Sequence, residues 1–264
     1  MNFNYLDNFE FLPTELDFFC NICFTPKSHI KNNVFLTEGI VSFRKLLESN
    51  LEIISVLTTD KYINIIQEFS CRFSNAKIFI APDKKFIENI IGFSPNEPIY
   101  AIVKIPPLSN TEVLGNKIVF LDGVSKQENV GSIIRNATAF DIDSLIYSTE
   151  SCFPYLRRVV RVSLGCVFSM KIAHSANPLK TLENLRKLGY SIIAVEQSDK
   201  SKDISSSNNY DKACFIFGNE SKGIRSSILE IADEIIEIKT NKKVGSLNVA
   251  TCSAIVFWKY SNLP

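Results

Sequence analysis

Apolar positions along this chain switch repeatedly between a helical spacing and short β-branched runs. Over residues 38–49 the apolar side chains Ile40, Phe43, Leu46 and Leu47 recur at helical intervals, and residues 52–57 then read as a strand. A helix over 60–69, a strand over 77–80, a helix over 83–91 and a strand over 99–103 complete a small α/β unit. Pro106-Pro107, followed by Ser109-Asn110-Thr111, has the composition of a linker. A second series predicts strands at 118–121, 144–147, 191–195, 213–217 and 234–238. Its helices fall at 131–140, 178–188, up to Ile231, and 247–260. Strands alternating with helices imply an α/β fold whose mostly parallel sheet is covered on both faces. Residues 1–32, rich in Phe, Asn and Asp without a clear period, read as an extension that is partly helical at most. The expected divisions are therefore 1–32, 33–105 and 106–264.

Composition narrows the class without naming a partner. The chain has 264 residues, 45% hydrophobic and 22% charged, ordinary for a water-exposed globular protein with room for two modest domains. No run of 18 apolar residues occurs, so no membrane span is expected. The first ten residues carry acidic but no basic side chains, unlike a signal peptide, and a cytoplasmic location is the expectation. Seven cysteines, an odd number in apolar stretches, point to reduced thiols. The one close pair, Cys20 and Cys23, lacks a second pair of ligands, since His29 and His174 are the only histidines; no metal is expected. Net charge is only +1, so any nucleic-acid role must rest on local patches. The best patch is Arg157, Arg158 and Arg161, which reads equally well as a solvated helix face.

The chemistry concentrates in three polar segments of the second series. They are Asn129 to Asn136 (Asn-Val-Gly-Ser-Ile-Ile-Arg-Asn), Phe217 to Ile224 (Phe-Gly-Asn-Glu-Ser-Lys-Gly-Ile) and Ser246-Leu247-Asn248-Val249-Ala250. Each lies where the chain leaves a strand or enters a helix, which is where open α/β sheets bind ligands. No strand is followed by Gly-x-Gly-x-x-Gly, and Gly218 to Gly223 lacks the Lys-Ser/Thr pair of a phosphate loop. Neither histidine sits in a polar cluster, which counts against a Ser-His-Asp triad. Taken singly, Asn129 reads as a helix cap, Arg135 as a snorkelling surface residue and Glu220 as an acceptor for helix N–H groups. Ser246 likewise reads as an N-cap, with Asn248 in the first turn behind it. Their joint occurrence favours one shared site.

Together the segments resemble the three motifs of the SpoU (TrmH-like) RNA ribose 2′-O-methyltransferases of the SPOUT superfamily. Asn129 and Arg135 match the first motif, Gly218, Glu220 and Gly223 the second, and Ser246-Leu247-Asn248-Val249 the third without change. Arg161-Val-Ser163-Leu-Gly165 is similar to a Ser-x-Gly segment of the family, and Phe35-Leu-Thr-Glu38-Gly39 to its N-terminal RNA substrate-binding domain. The likeness covers about residues 34 to 260. It departs at Lys126-Gln-Glu128, where the family often has Asp-Pro, and at Asp141, where it usually has Gly. What the resemblance implies is an S-adenosylmethionine-dependent enzyme with a C-terminal trefoil knot, homodimeric, acting on rRNA or, second in preference, tRNA. It implies Val195, Gly218, Ile238 and Leu247 at the cofactor. It gives Arg135 the reacting ribose, Ser246 and Asn248 the positioning, and Asn129 and Glu220 the holding of the loops. Arg157, Arg158 and Arg161 would meet RNA phosphates. The alternative is a non-catalytic RNA-binding or ribosome-assembly factor of the same fold.

Overall fold

The β-branched runs become strands because a sheet covered on both faces demands side chains that are apolar on both sides. The computed structural model describes residues 2–7, 13–22, 27–241, 243 and 245–261. In chain order come β1 (Phe3–Tyr5), α1 (Lys27–Lys31), β2 (Val34–Glu38), α2 (Ile40–Glu48), β3 (Ile53–Thr59), α3 (Ile63–Glu68), β4 (Lys77–Ala81), α4 (Lys84–Ile91) and β5 (Ile99–Lys104). There follow β6 (Lys117–Asp122), α5 (Gln127–Ala139), β7 (Ser144–Ser148), α6 (Arg157–Val162), β8 (Lys171–Ser175), α7 (Pro178–Lys187) and β9 (Ser191–Val195). The last are β10 (Lys202–Asp203), β11 (Ala213–Gly218), α8 (Ser226–Ile231), β12 (Glu234–Glu237) and α9 (Val249–Tyr260). Among the described residues no helix is long and apolar enough to cross a membrane.

The chain forms two compact units, the first comprising Met1–Pro106 with Tyr155–Phe168 and the second Pro107–Pro154 with Ser169–Pro264. In the first unit the strands run in the order β1-β4-β3-β5-β2, with β5 antiparallel to both its neighbours. The described part of residues 1–32 is not an extension. β1 pairs in parallel with β4, and Leu16, Phe19 and Ile22 are buried with Phe79, Ile87 and Tyr100 in one apolar cluster. Backbone bonds from Asn21 and Ile22 to the carbonyls of Ile90 and Ile91, each 3.0 Å, fix that segment. Its described elements are a three-residue strand, a six-residue 3-10 helix and the five-residue α1, each too short to establish a period.

Residues 155–168, embedded in the predicted second domain, pack into the first unit. The Phe35 ring lies 5.0 Å from that of Tyr155 and 5.7 Å from that of Phe168. Arg157 forms a largely buried ion pair with Glu38, each side chain 11% exposed, through Nε at 3.0 Å and Nη2 at 2.5 Å. The Ser-x-Gly segment turns sharply here, with φ of +50° at Leu164 and +75° at Gly165. A Cβ on Gly165 would come within 2.8 Å of the Phe168 ring, so this motif is part of the packing of the unit.

The second unit is built on a seven-strand sheet of order β10-β12-β9-β11-β6-β7-β8, in which every pairing is parallel. β11 sits between β9 and β6, and all six of its residues are buried. β8 escaped the sequence reading because Lys171 and His174 break its apolar run. The short polar stretch after β9 is tied down by Glu234: it accepts from Ser207 at 2.6 Å and from the Tyr210 hydroxyl, while Tyr260 of α9 donates to Ser207 at 2.6 Å.

Candidate active site

Every polar segment singled out in the second unit gathers at the carboxyl ends of β6, β9, β11 and β12. α5 begins at Gln127, four residues earlier than its apolar period suggested, so Asn129 lies in the first turn and does not cap the helix. The cap arrives from elsewhere. Glu220, on the loop after β11, accepts from the backbone N–H groups of Ser125 at 3.3 Å and Lys126 at 3.1 Å. It also accepts from the Ser125 hydroxyl at 3.2 Å and from Asn129 Nδ2 at 2.7 Å. A carboxylate at the positive end of a helix is doubly favoured, by the unpaired N–H groups and by the dipole. Burial works to raise the Glu220 pKa, but the hydrogen bonds from Asn129 and the backbone outweigh it and hold the carboxyl below its ordinary value.

The third segment joins the same chain of bonds. Asn248 Nδ2 donates to Asn129 Oδ1 at 3.0 Å, while Asn248 Oδ1 caps α9 by accepting from Ala250 N–H at 2.8 Å. Asn248 is thus the N-cap and Ser246 lies two residues before that cap, the reverse of the reading from residue type alone. Asn136, seven residues after Asn129 and so on the same face of α5, donates to Ala250 O at 2.8 Å and Ser253 Oγ at 3.0 Å. α5 therefore packs on α9 at Ala250 and Ser253, two small residues of that helix. Arg135 projects from a neighbouring face, exposed, and among the described residues it makes no hydrogen bond or ion pair.

Beside this network lies a cavity of about 470 Å³, whose walls include Val195, Gly218, Ile238, Leu247 and Ser246. The four residues expected at a cofactor therefore share one cavity, within the size range of small-ligand sites. Gly218 is a glycine because the chain approaches itself: a Cβ there would sit 2.3 Å from the backbone of Gly223 and Ile224. The Gly218–Gly223 loop closes on itself through paired bonds between Asn219 and Gly223, and Asn219 Nδ2 ties it to the Gly123 carbonyl at 2.7 Å. Apolar walls, exposed main chain and a few polar side chains suit a planar heterocycle carrying a polar tail.

Residue type alone did not reveal several supports. Asp122, buried at the end of β6, accepts from Arg225 N–H at 3.1 Å and pairs with its guanidinium at 2.6 Å. Glu196 accepts from Ile224 N–H at 2.8 Å and enters the cavity wall. Their signal was position: each stands at or just beyond the carboxyl end of a central strand. Arg157, Arg158 and Arg161 lie in the first unit. Arg157 is committed to Glu38, Arg161 reaches the same carboxylate at 3.2 Å while half exposed, and Arg158 is exposed. Of the Cys20–Cys23 pair, Cys23 lies outside the described residues, and among the described residues no group of His, Cys, Asp or Glu is arranged to hold a metal.

Comparison with known proteins bears on the family and the fold. An uncharacterised tRNA/rRNA methyltransferase of Mycobacterium bovis is 25% identical over 230 residues, 85% of this chain and 79% of that one. The 23S rRNA (guanosine-2′-O-)-methyltransferase of Vibrio vulnificus is 26% identical over 142 residues, 54% of this chain and 57% of that one. An AdoMet-bound rRNA methyltransferase from Sinorhizobium meliloti superposes with a TM-score of 0.82 at 18% identity, over 97% of each chain, and so shares the fold. The profile of the SpoU rRNA methylase family matches residues 116–258, a stretch that contains all three polar segments. With more than half its length matched, this chain belongs to the SpoU rRNA methylase family.

Proposed function

We propose that this protein transfers a methyl group from S-adenosylmethionine to a ribose 2′-hydroxyl of RNA, ribosomal RNA being the favoured class. One observation carries the reading. Three distant segments are locked together by Glu220, Asn129 and Asn248 beside a nucleoside-sized cavity, and Arg135, on the α5 helix that carries Asn129, is exposed and makes no bond among the described residues. The V. vulnificus relative, named for guanosine-2′-O methylation of 23S rRNA, supports the choice of atom and of RNA class.

The cavity fits the cofactor on this chain's own evidence: apolar side chains at Val195, Ile238 and Leu247 would flank the adenine, and the main chain at Gly218 would meet its polar edge. The bound cofactor supplies an electrophilic methyl on a sulfonium. Arg135 acts by stabilising negative charge as the 2′-oxygen loses its proton to water. Ser246, on the cavity wall and unpaired among the described residues, orients the ribose. Asn248 has both ends of its amide engaged and so positions the segment without touching substrate. Asn129 and Glu220 hold the loops. Arg158 and Arg161 contribute phosphate contacts, and Arg157 supports their helix. The knot belongs to the same proposal, as does a homodimer. For the latter, Trp258 supports an interface on the outward face of α9, where it is 69% exposed beside the half-buried Ile255.

Arg135→Ala tests the assignment. Tritiated-methyl transfer to RNA falls about a hundred- to a thousandfold, the range for removing one charge-stabilising donor. Folding and cofactor affinity stay as in the wild type, because the side chain supports nothing else. Near wild-type turnover with unchanged RNA affinity would refute the role.

A further inference from the structure

The cavity wall carries more negative charge than its structural bonds require. Among the described residues its charged lining side chains are Glu196, Glu220, Glu237 and Lys126, a balance of three carboxylates against one ammonium. Glu220 receives four hydrogen bonds, and Glu196 accepts from Ile224 N–H at 2.8 Å and Gln197 N–H at 3.2 Å. Glu237, the last residue of β12, is half-buried at the cavity and its carboxylate has no partner among the described residues. Lys239, two residues on, does not neutralise it, being paired with Asp203 at 3.5 Å.

We infer that Glu237 is a specificity-determining residue that makes the cavity favour the sulfonium cofactor over its own product. The inference rests on the cofactor reading above. S-Adenosylmethionine carries a sulfonium and an ammonium against one carboxylate; S-adenosylhomocysteine keeps the ammonium and the carboxylate but has a neutral thioether. The two ligands share every hydrogen-bonding group and differ by one positive charge. Glu196, Glu220 and Glu237 all line this one cavity of about 470 Å³, so a cation bound in it lies among them. At physiological salt the screening length is about 8 Å, which leaves that attraction largely intact in a half-open cleft. The net negative wall therefore strengthens cofactor binding and leaves product binding nearly unaffected. Methyl transfer removes the charge that the wall holds, and release of the spent cofactor is eased without any movement of the chain.

Calorimetric titration of both ligands into the full-length protein tests this, with the ratio of the two dissociation constants as the readout. Glu237→Gln keeps shape and lowers the preference for S-adenosylmethionine about fivefold, the size of one charge acting across several ångströms of partly wet cleft. Lys126→Gln, of opposite sign and with its backbone N–H retained for Glu220, raises the preference by a similar factor. Both changes shrink between 0.1 M and 1 M salt, as the screening length falls from about 10 Å to about 3 Å. Equal weakening of both ligands by Glu237→Gln would mean that the carboxylate meets a group they share, such as the ammonium or the ribose diol, and would overturn the inference. So would a ratio unchanged in both variants. Failure of the wild type to bind either ligand would instead overturn the cofactor reading and, with it, this one.

Discussion

Replacing Glu220 by Gln changes one atom in the network that joins the three segments. The carboxylate meets four donors, from Ser125 N–H and Oγ, Lys126 N–H and Asn129 Nδ2, at 2.7 to 3.3 Å. Glutamine retains one acceptor oxygen, sufficient for Asn129 and Lys126, but turns an amide N–H toward Ser125. Hydrogen bonds to a charged group are worth about 1.5–3 kcal/mol against about 1 for neutral ones, and the negative charge at the start of α5 adds about 0.3–1. The expected loss is about 2 kcal/mol, or about 5 °C in the thermal midpoint of a unit this size. Near-UV circular dichroism through a thermal ramp measures it. Because the folded Glu220 pKa is lowered, its stabilisation is complete above the unfolded value of 4.5 and fades as pH falls through the folded one. The gap between wild type and variant is therefore constant near neutrality and closes in acid. A variant within about 0.5 kcal/mol of wild type at pH 7, or a gap that persists in acid, refutes the argument. In a double-mutant cycle, Glu220→Gln and Asn248→Ala couple by about 1 kcal/mol through Asn129, and simple additivity would break the chain of bonds.

Gly218→Ala forces a Cβ to within 2.3 Å of backbone at Gly223 and Ile224, and the loop must open; we expect loss of S-adenosylmethionine binding by calorimetry with the β-sheet intact by far-UV circular dichroism. Arg157→Ala leaves Glu38 largely buried without its closest cation and costs about 3 kcal/mol by chemical denaturation, whereas Arg158→Ala flattens the salt dependence of RNA binding. Tyr260→Phe removes the hydroxyl that reaches Ser207 at 2.6 Å and lowers stability by about 1 kcal/mol, read from the denaturation midpoint.

The alternation of runs was enough to foresee the parallel sheet, because strands such as Ala213–Gly218 are apolar throughout and their neighbours are helical in period. The site was legible as three segments, since strand ends of a parallel sheet are where polar residues have no packing reason to be. Residue type could not say which partner each would choose. Asn129 and Asn248 both favour helix starts, yet only Asn248 caps one, because Glu220 from a third segment reaches α5 first. Tertiary contact decided between locally equivalent options. Among the arginines, the sequence could not separate Arg157 from Arg158, adjacent and identical in type. Only the placement of Glu38 against α6, a pairing across 119 residues, distinguishes support from surface. The N-terminal segment stayed hidden for the same reason: Leu16, Phe19 and Ile22 acquire meaning only from the strand and helix they meet.

The passage of residues 155–168 into the first unit has a consequence for how such chains can be recombined. A single crossover near residue 106, the obvious place to exchange the leading unit between relatives, would part Phe35 from Tyr155 and Phe168, and Glu38 from Arg157. A workable chimera must import two stretches together, the leading one and the fourteen-residue patch that completes it. Exchange of the first unit is thus tied to an internal segment, and grafts that ignore it should yield insoluble protein.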